Sequence, residues 1–486
     1  MCYFLGIDVG TSSLKLTVTD ETGEMVAAAS RRYTPLAPKV GWGEIDPLVW
    51  WTALREAMKD ISLQIDTALI AGVCATGQMH TIVLVDEENR PVCKSILWND
   101  LRTADKVVSA RDAMKAAGES CISRIISTGS PAIDLAWTRD NDPVSFERAV
   151  TFVGAPEWIA CKLGGEAGID WCGASTSSLY SIERGEWSKA ACAYFGVPMD
   201  MLPEIRDSGN DIGRVCTAAA HETGIPEGTP IVQGTGDNPA AAIPTGCMPD
   251  GLPVVSLGTS GVLMYAREGL YTPDFGKPVL FRSDGNLKTL VQLSMRSCGS
   301  DMEWWAKRLL HKESFDLEDK AVEALDYDMR SLVFYPHLNG VKTIRLDPSV
   351  RGAFLGLSLD TSRSEMMRAV MEGIAFGFKE LMDHVEGAGE WKCIRLIGGG
   401  SNSDLWTSIL CNVLDVPLIR LNTSGAGQGA AMIALSSATG ESLSAIARNT
   451  MAAVDQANPL ADVRLSYSNR YQTYLRIYEA IRSIYA

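Results

Sequence analysis

Two segments of this chain, about 250 residues apart, join an apolar strand to a second strand through a turn rich in glycine, threonine and serine. They span residues 4–16 and 254–264. Glycine permits positive φ and close approach of the backbone, so successive amide N–H groups can converge on an anion, and the hydroxyl groups add donors. Two such hairpins predict a duplicated domain that grips a polyphosphate from both sides, and ATP is the first ligand to test.

Neither hairpin has the P-loop pattern G-x-x-x-x-G-K-[ST], so the hairpins are the alternative phosphate cradle. Asp8 ends the first strand between two apolar residues, where a carboxylate can hold Mg²⁺ through water. The competing interpretation is an Asp that caps its own turn. We expect the phosphate groups of ATP to be bound by Gly10, Thr11, Ser12, Lys15, Gly258, Thr259 and Ser260.

The sharpest local feature is Asp237, which follows a strand and two glycines and precedes Asn238 and Pro239. Proline near the first helical position indicates that a helix begins here. A carboxylate flanked by glycines can be reached by a substrate and can accept the proton of an attacking hydroxyl. An ordinary helix cap is the alternative interpretation of this segment.

Two clusters of polar and apolar side chains follow neighbouring strands. Gln78, Met79 and His80 form one, and Trp98 and Asp100 belong to the other. Sugars are held by such mixtures, with an aromatic or thioether face against C–H groups and fixed donors and acceptors for hydroxyls. A lone His or Trp is more often structural, and His80 gains weight only because two clusters leave neighbouring strands.

The elements that must position these residues repeat. Each half is predicted as three strands, a helix, a strand and a helix, the organisation of a two-lobed α/β ATPase. In the first half, a helix begins at Asp46-Pro47, and strands are predicted at 69–75, 82–86 and 95–98. In the second half, helices are predicted at 364–386 and 404–414 and strands at 393–397 and 417–421. A last helix begins at the glycines of residues 425–429. A linker-like segment at 245–252 divides the chain into domains 1–245 and 246–486.

Composition excludes several classes of function. The 486 residues carry a formal net charge of −15 without a block of Lys or Arg, which argues against nucleic-acid binding and against adhesion to anionic membranes. Twelve cysteines form no C-x-x-C pair and only five histidines are present, so no zinc site is indicated. The N-terminus enters a strand at once and no apolar run approaches the ~18 residues of a membrane span, so we expect a cytoplasmic protein.

One glycine motif is a decoy. Residues 425–430 match G-x-G-x-x-[G/A] after a strand, but no strand ending in an acidic residue follows about 20 residues later, as a dinucleotide fold requires. Helix packing against a sheet, or an edge of the adenine pocket, explains these glycines better. The tyrosines at helical spacing near the C-terminus are likewise assigned to packing.

Together these motifs resemble the FGGY carbohydrate kinases of the actin and hexokinase superfamily, over nearly the whole chain. The likeness is greatest to the members that act on D-xylulose, and it rests on four motifs in order: residues 77–80, 97–102, 236–238 and 256–262. The resemblance implies two actin-like, ribonuclease H-like lobes with a cleft between them. It also implies that Asp237 is the general base and Asp8 the metal-side acid.

The resemblance further implies that ATP and Mg²⁺ are used to convert D-xylulose to D-xylulose 5-phosphate. The sugar is expected to contact Gln78, Met79, His80, Trp98, Asp100, Asp237 and Asn238, and the adenosine side Gly399, Gly400 and Asn402. Sugar and ATP are the expected partners, without nucleic acid or membrane, and a homodimer is left open.

The chain departs from the family pattern at Thr81, where a glycine usually follows Gln-Met-His, at Pro239 and Pro244 in the run after Asn238, and at Ser424, where an acidic residue commonly stands. Thr81 and the prolines touch the sugar pocket, so kinases of ribulose, gluconate, glycerol or another polyol remain near alternatives. A non-catalytic nucleotide-binding scaffold and a nicotinamide oxidoreductase are rivals from other classes.

Overall fold

The structure is a computed structural model that describes residues 2–249, 251–269, 271, 273, 275–282, 288–311, 316–325, 332–423, 425–451 and 453–485. Asp250 of the predicted linker and the departure at Ser424 lie outside the described residues. Within these ranges, none of the helices combines the length and the apolarity that crossing a lipid bilayer requires.

The first large sheet has six strands in the order β5-β6-β4-β1-β2-β3. Its strands are β1 (Tyr3–Val9), β2 (Ser13–Thr19), β3 (Met25–Arg32), β4 (Ile70–Gly77), β5 (Asp211–Arg214) and β6 (Pro230–Val232). Strands β1, β2 and β3 run antiparallel, whereas β1, β4 and β6 are parallel. The carboxyl ends of these three parallel strands therefore meet at one edge of the sheet.

The second large sheet has the order β9-β10-β8-β7-β11-β12-β13. Its strands are β7 (Val254–Leu257), β8 (Gly261–Arg267), β9 (Val279–Arg282), β10 (Thr289–Met295), β11 (Ile394–Ile397), β12 (Leu418–Leu421) and β13 (Ala453–Ala457). The series β10-β8-β7-β11-β12 repeats the order and strand directions of β3-β2-β1-β4-β6. The predicted duplication is confirmed.

Six helices matter below: α1 (Pro47–Ile61), α2 (Asp237–Ala242), α3 (Arg363–Asp383), α4 (Asp404–Leu414), α5 (Ala426–Thr439) and α6 (Arg464–Ile481). The Asp46 side chain accepts a hydrogen bond from the Leu48 amide and Pro47 is the first residue of α1, as predicted. Tyr467, Tyr471 and Tyr474 of α6 are buried and pack against Phe376 of α3, which confirms the packing interpretation for these three tyrosines, whereas Tyr485 is exposed.

The remaining helices are Val107–Ala116, Ser120–Ile125, Pro131–Asn141, Pro143–Arg148, Ala155–Leu163, Trp171–Thr176, Lys189–Phe195, Thr217–Thr223, Gly299–Glu303, Asp316–Glu323 and Leu443–Thr450, and Trp304–Leu310 is a π-helix. Two-stranded pairings join Glu44–Ile45 to Ser95–Ile96, Ile82–Val85 to Thr151–Gly154, Ile169–Asp170 to Ile205–Arg206, Tyr180–Ser181 to Glu186–Trp187, and Val333–Tyr335 to Ala353–Leu355. Much of this irregular structure lies between β4 and β5 and has an apolar core of its own.

Helix α5 comes from the second half of the chain but packs on the first sheet. A Cβ added at Gly6 of β1 would lie 1.9 Å from the carbonyl oxygen of Gly427, and one at Gly429 would lie 1.8 Å from that of Ala240 in α2. Backbones this close leave no room for side chains. Gly427 and Gly429 of the decoy motif thus serve helix packing, and the two halves share a core.

Candidate active site

The predicted sugar-side residues follow adjacent parallel strands of the first sheet. Asp8 of β1 is in register with Thr76 of β4, and a bridge joins Gly77 to Gly236 after β6. The strand ends accordingly bring Asp8, the segment 78–80 and Asp237 to one edge of the sheet. Ligands of parallel α/β sheets bind at such edges.

Asp8 and Lys15 face each other across the first hairpin. Their side chains approach to 3.8 Å, and the Asp8 side chain is only 13% exposed. Burial raises the pKa of Asp8 above its ordinary value, and the Lys15 ammonium opposes this shift. A carboxylate and a cation therefore stand together beside Thr11 and Ser12, where the phosphate groups of ATP are expected.

Asp237 is the first residue of α2. The amide and the side chain of Asn238 donate to its Oδ1, at 2.8 and 3.0 Å. Burial raises the pKa of Asp237 to about 7, and the nearby charge of Asp8 contributes. A carboxyl group with this pKa can take up a proton near neutral pH, as a general base requires.

Proline shapes this helix less than its two positions suggested. Pro239 is the third residue of α2, where the backbone lacks an intrahelical acceptor for an N–H in any case. The helix ends at Ala242, and Pro244 lies beyond it in the 3₁₀ turn Ile243–Thr245. Neither proline therefore lies where it would break a hydrogen bond within α2.

His80 and Met79 line the same pocket, with Gly236 opposite. The Met79 sulfur lies 3.8 Å from Nδ2 of Asn238. His80 adopts φ 67°, the left-handed region that side chains other than glycine rarely occupy. Burial lowers the pKa of His80 to about 4, so the ring is neutral at pH 7, and its Nδ1 has no hydrogen-bond partner within the described ranges. That nitrogen can accept or donate one hydrogen bond.

Trp98 and Asp100 differ in where they point. Trp98 is 46% exposed, and its indole Nε1 donates to the Thr11 hydroxyl at 2.9 Å. Asp100 is 1% exposed, and its carboxylate accepts from the Gly43 amide at 2.6 Å and from Arg102 at 2.8 Å. The Asp100 carboxylate is thus committed to protein groups, and this geometry offers no support for a direct sugar contact.

The predicted nucleotide residues of the second half line one cleft of about 770 Å³. Its walls include Gly258 and Thr259 from the second hairpin and Gly399, Gly400 and Asn402 after β11. Trp406 of α4 also lines it, and Ser260 adjoins it in the chain as an exposed hairpin residue. These residues stand where an adenosine group and its phosphates would fit between strand ends.

The hairpin glycines work differently from the prediction. Neither Gly10 nor Gly258 has positive φ, so at these positions the absence of a side chain is what remains useful. Gly398 is the glycine that needs left-handed freedom, with φ 93° and the Leu257 backbone 2.8 Å from where a Cβ would lie. This contact holds the adenosine-side segment against the second hairpin.

Several residues of the site gave no usable sequence signal. The Tyr33 hydroxyl donates to the carbonyl of Gly10 and supports the first hairpin. Glu157 and Asp170 line the pocket of Met79 and His80, and burial raises the pKa of both. Asp170 caps the helix Trp171–Thr176. An Asp directly before a helix is the one sequence signal that could have indicated this role.

Comparison with known proteins agrees with this geometry. The N-terminal domain model of the FGGY family of carbohydrate kinases matches residues 3–244, and the C-terminal domain model matches residues 254–438. The chain is 28% identical to the xylulose kinase of Bacillus subtilis (strain 168) over 484 residues, which cover 98% of this chain and 97% of the relative.

Solved structures give the same picture. A xyloylose kinase from Brucella ovis superposes with a TM-score of 0.90 at 28% identity, covering 99% of this chain and 100% of that one. A gluconate kinase from Lactobacillus acidophilus reaches a TM-score of 0.89 at 23% identity, with 99% of each chain covered, and this likeness speaks for the fold alone.

Proposed function

The chain belongs to the FGGY family of carbohydrate kinases, and we propose that it transfers the γ-phosphate of ATP to the terminal hydroxyl of a ketopentose, with D-xylulose first in rank. The two lobes have the actin-like, ribonuclease H-like fold of that family. Relatives named xylulose kinase, aligned over nearly the whole chain, support this ranking of the sugar.

The observation that carries the proposal is the environment of Asp237. It is a buried carboxyl group at the first residue of a helix, beside Asp8, with its pKa raised to about 7. A buried capping carboxyl group can also have a raised pKa, as Asp170 does, so the assignment rests on the position of Asp237 at the sheet edge that it shares with Asp8 and residues 78–80. A base near neutral pH on the sugar side of the site is what phosphoryl transfer to a hydroxyl needs.

The reaction follows from these positions. Asp237 accepts the proton of the sugar hydroxyl as its oxygen forms a bond to the γ-phosphorus, and the bond from that phosphorus to the bridging oxygen of ADP breaks. Lys15 and the hairpin amides stabilise charge on the transferring group. His80 and Asn238 orient the hydroxyl groups of the sugar, and Met79 contacts its C–H face.

Asp8 fits Mg²⁺. No group of three or more His, Cys, Asp or Glu side chains in the described part of the chain is arranged to hold a metal. Mg²⁺ in kinases is usually held by one or two carboxylates, by waters and by the phosphates themselves, so a single partly buried carboxylate at the first hairpin suffices. When bound, the ion neutralises negative charge on the phosphates.

A coupled ADP-release screen tests the proposal. We expect D-xylulose to give the highest kcat/KM among ketopentoses, pentitols, gluconate and glycerol, and ³¹P and ¹³C NMR of the product to locate the phosphate on its terminal hydroxyl. Higher kcat/KM for gluconate or glycerol would overturn the choice of sugar. ADP release that no sugar stimulates would favour the scaffold rival and overturn the function.

A further inference from the structure

Thr81 lies directly after His80, and its hydroxyl joins the two sugar-side clusters. The side chain is 1% exposed. Its Oγ1 donates to Oε1 of Gln78 at 3.2 Å and accepts from the backbone amide of Trp98 at 3.1 Å. One buried hydroxyl thus satisfies a group on each of two loops that leave different strands.

Gln78 and Trp98, the two partners of the Thr81 hydroxyl, also form hydrogen bonds to the first phosphate hairpin. The other end of the Gln78 amide, Nε2, donates to the carbonyl of Gly10 at 3.3 Å. The Trp98 indole donates to the hydroxyl of Thr11 at 2.9 Å. Gly10 and Thr11 are consecutive, so the hydrogen bonds form a closed ring with Thr81 at one side and the hairpin at the other.

The Thr81 main chain is held separately from this ring. Its carbonyl accepts from the amide of Ala155 at 3.1 Å. The Trp98 backbone is confined as well, because a Cβ at Gly129 would lie 2.1 Å from its carbonyl oxygen. Removing only the Thr81 hydroxyl should therefore leave both loops in place, release Oε1 of the Gln78 side chain and leave the Trp98 backbone amide without its acceptor.

We propose that Thr81 is a positioning residue that couples the sugar pocket to the phosphate hairpin. The hydroxyl fixes the Gln78 amide and the Trp98 backbone, and these fix the hairpin that receives the phosphates. The inference rests on the proposed function. It also gives a role to this chain's departure from the expected glycine, since a glycine cannot make either hydrogen bond.

Thr81→Val keeps the shape of the side chain and removes the hydroxyl. We expect the KM for D-xylulose to rise about 10-fold, while the Kd of ATP for the sugar-free enzyme changes by less than about twofold. Calorimetry should also show that a nonhydrolysable ATP analogue no longer tightens sugar binding, a coupling that a merely structural threonine would not affect. Thr81→Ser retains the hydroxyl and should restore both properties.

Thr223→Val is the matched control. Thr223 is also buried, and its hydroxyl likewise donates to one carbonyl, that of Ala219, and accepts from one amide, that of Ile225. It should lower the melting temperature as much as Thr81→Val does and leave sugar KM and coupling unchanged. A Thr81→Val enzyme with wild-type sugar KM and coupling would overturn the inference.

Different results would contradict the proposed function and the role of Thr81. Wild-type protein that binds D-xylulose without phosphorylating it would overturn the proposed function, while coupling in the wild type that is lost in Thr81→Val would still support the role of Thr81. Wild-type protein that binds none of the screened sugars would overturn both.

Discussion

Asp237 combines burial with a neighbouring negative charge, and both disfavour its ionised form. Since a general base must be ionised, we expect kcat/KM for the sugar to rise by about one decade per pH unit below pH 7 and to level off above it. Asp237→Asn should lose about 10²–10⁴ in kcat and lack this limb. Initial rates between pH 5.5 and 8.5 measure both, and a flat wild-type profile contradicts the assignment.

The same carboxyl group should cost the protein stability. The pKa of Asp237 is raised from 3.8 to about 7 on folding, so the folded state holds the proton more tightly, and this contribution to stability is lost as pH rises through that range. Asp237→Asn should therefore melt above the wild type at pH 8, with a smaller difference at pH 5. An equal difference at both pH values would show that Asp237 does not titrate as inferred.

Two substitutions at His80 test the role of its ring and of its backbone conformation. His80→Ala and His80→Gly both remove the ring, and each should lower kcat/KM for the sugar about 5- to 150-fold, with little change in the KM for ATP. Glycine tolerates φ 67°, so His80→Gly should be about 1 kcal/mol more stable than His80→Ala. Kinetics and chemical denaturation check these expectations, and a weakened ATP KM with unchanged sugar KM would move His80 to the nucleotide side.

Individual site residues could be predicted where an apolar strand and neighbouring glycines mark their position in the sequence. Asp8 lies near the end of β1 and Asp237 follows β6, each close to a glycine, and the structure brings them to one sheet edge. Asp100 looked equivalent, but its partner Gly43 is 57 residues away in the chain, and its burial depends on a fold that local sequence does not encode. Tyr33 was missed for the same reason, because only the tertiary fold joins it to Gly10.

Among the elements, helix α4 illustrates what local pattern can predict, since its bounds agree with residues 404–414. Strand β10 illustrates the opposite case. All seven of its residues are buried, including Gln292 and Ser294, so it lacks the alternation of apolar and polar residues that marks a half-buried strand. Between β4 and β5, the strands predicted at 82–86 and 95–98 are observed as Ile82–Val85 and Ser95–Ile96. The short helices of this segment were not predicted, because they pack on one another.

The two hairpins permit a direct test of the two-sided grip. A Cβ at Gly258 would have its nearest protein atom, the Ser260 carbonyl oxygen, at 3.4 Å, so Gly258→Ala should fold normally. We expect it to weaken ATP–Mg²⁺ binding on the order of tenfold, because the methyl group occupies the space of a phosphate. Gly10→Ala, with Ser13 O at 2.9 Å, should weaken ATP binding and also lower the melting temperature.

Calorimetry with ATP–Mg²⁺ and with D-xylulose separately measures these effects, and sugar affinity should stay unchanged in Gly258→Ala. The control is Gly389→Ala, at an exposed glycine with ordinary φ, where an added methyl group would have no neighbouring atom within 4 Å among the described residues. If only one hairpin affects the nucleotide, the duplicated pattern reflects repetition of the fold without a shared ligand.

At the scale of the whole molecule, one helix from the second half of the chain packs on the sheet of the first half. The predicted domains 1–245 and 246–486 remain a prediction, and α5 crosses from the second to pack on the first sheet and on α2. Its side chains Met432 and Ile433 share a core with Phe4 of β1 and Val232 of β6. The crossing of α2 and α5 thus links the position of Asp237, the first residue of α2, to the second half of the chain.

Gly429→Ala tests this link. The added methyl group would lie 1.8 Å from the carbonyl oxygen of Ala240, so α2 and α5 must separate. Overpacking of this kind costs about 1–3 kcal/mol, and we expect a lower melting temperature than in Gly389→Ala. Because Asp237 moves with α2, kcat per folded molecule should also fall, by about tenfold or more, with a smaller change in the sugar KM. Rates measured below the melting temperature separate the loss of kcat from the loss of stability. A destabilised variant with wild-type kcat would mean that the crossing supports the fold without setting the position of the base.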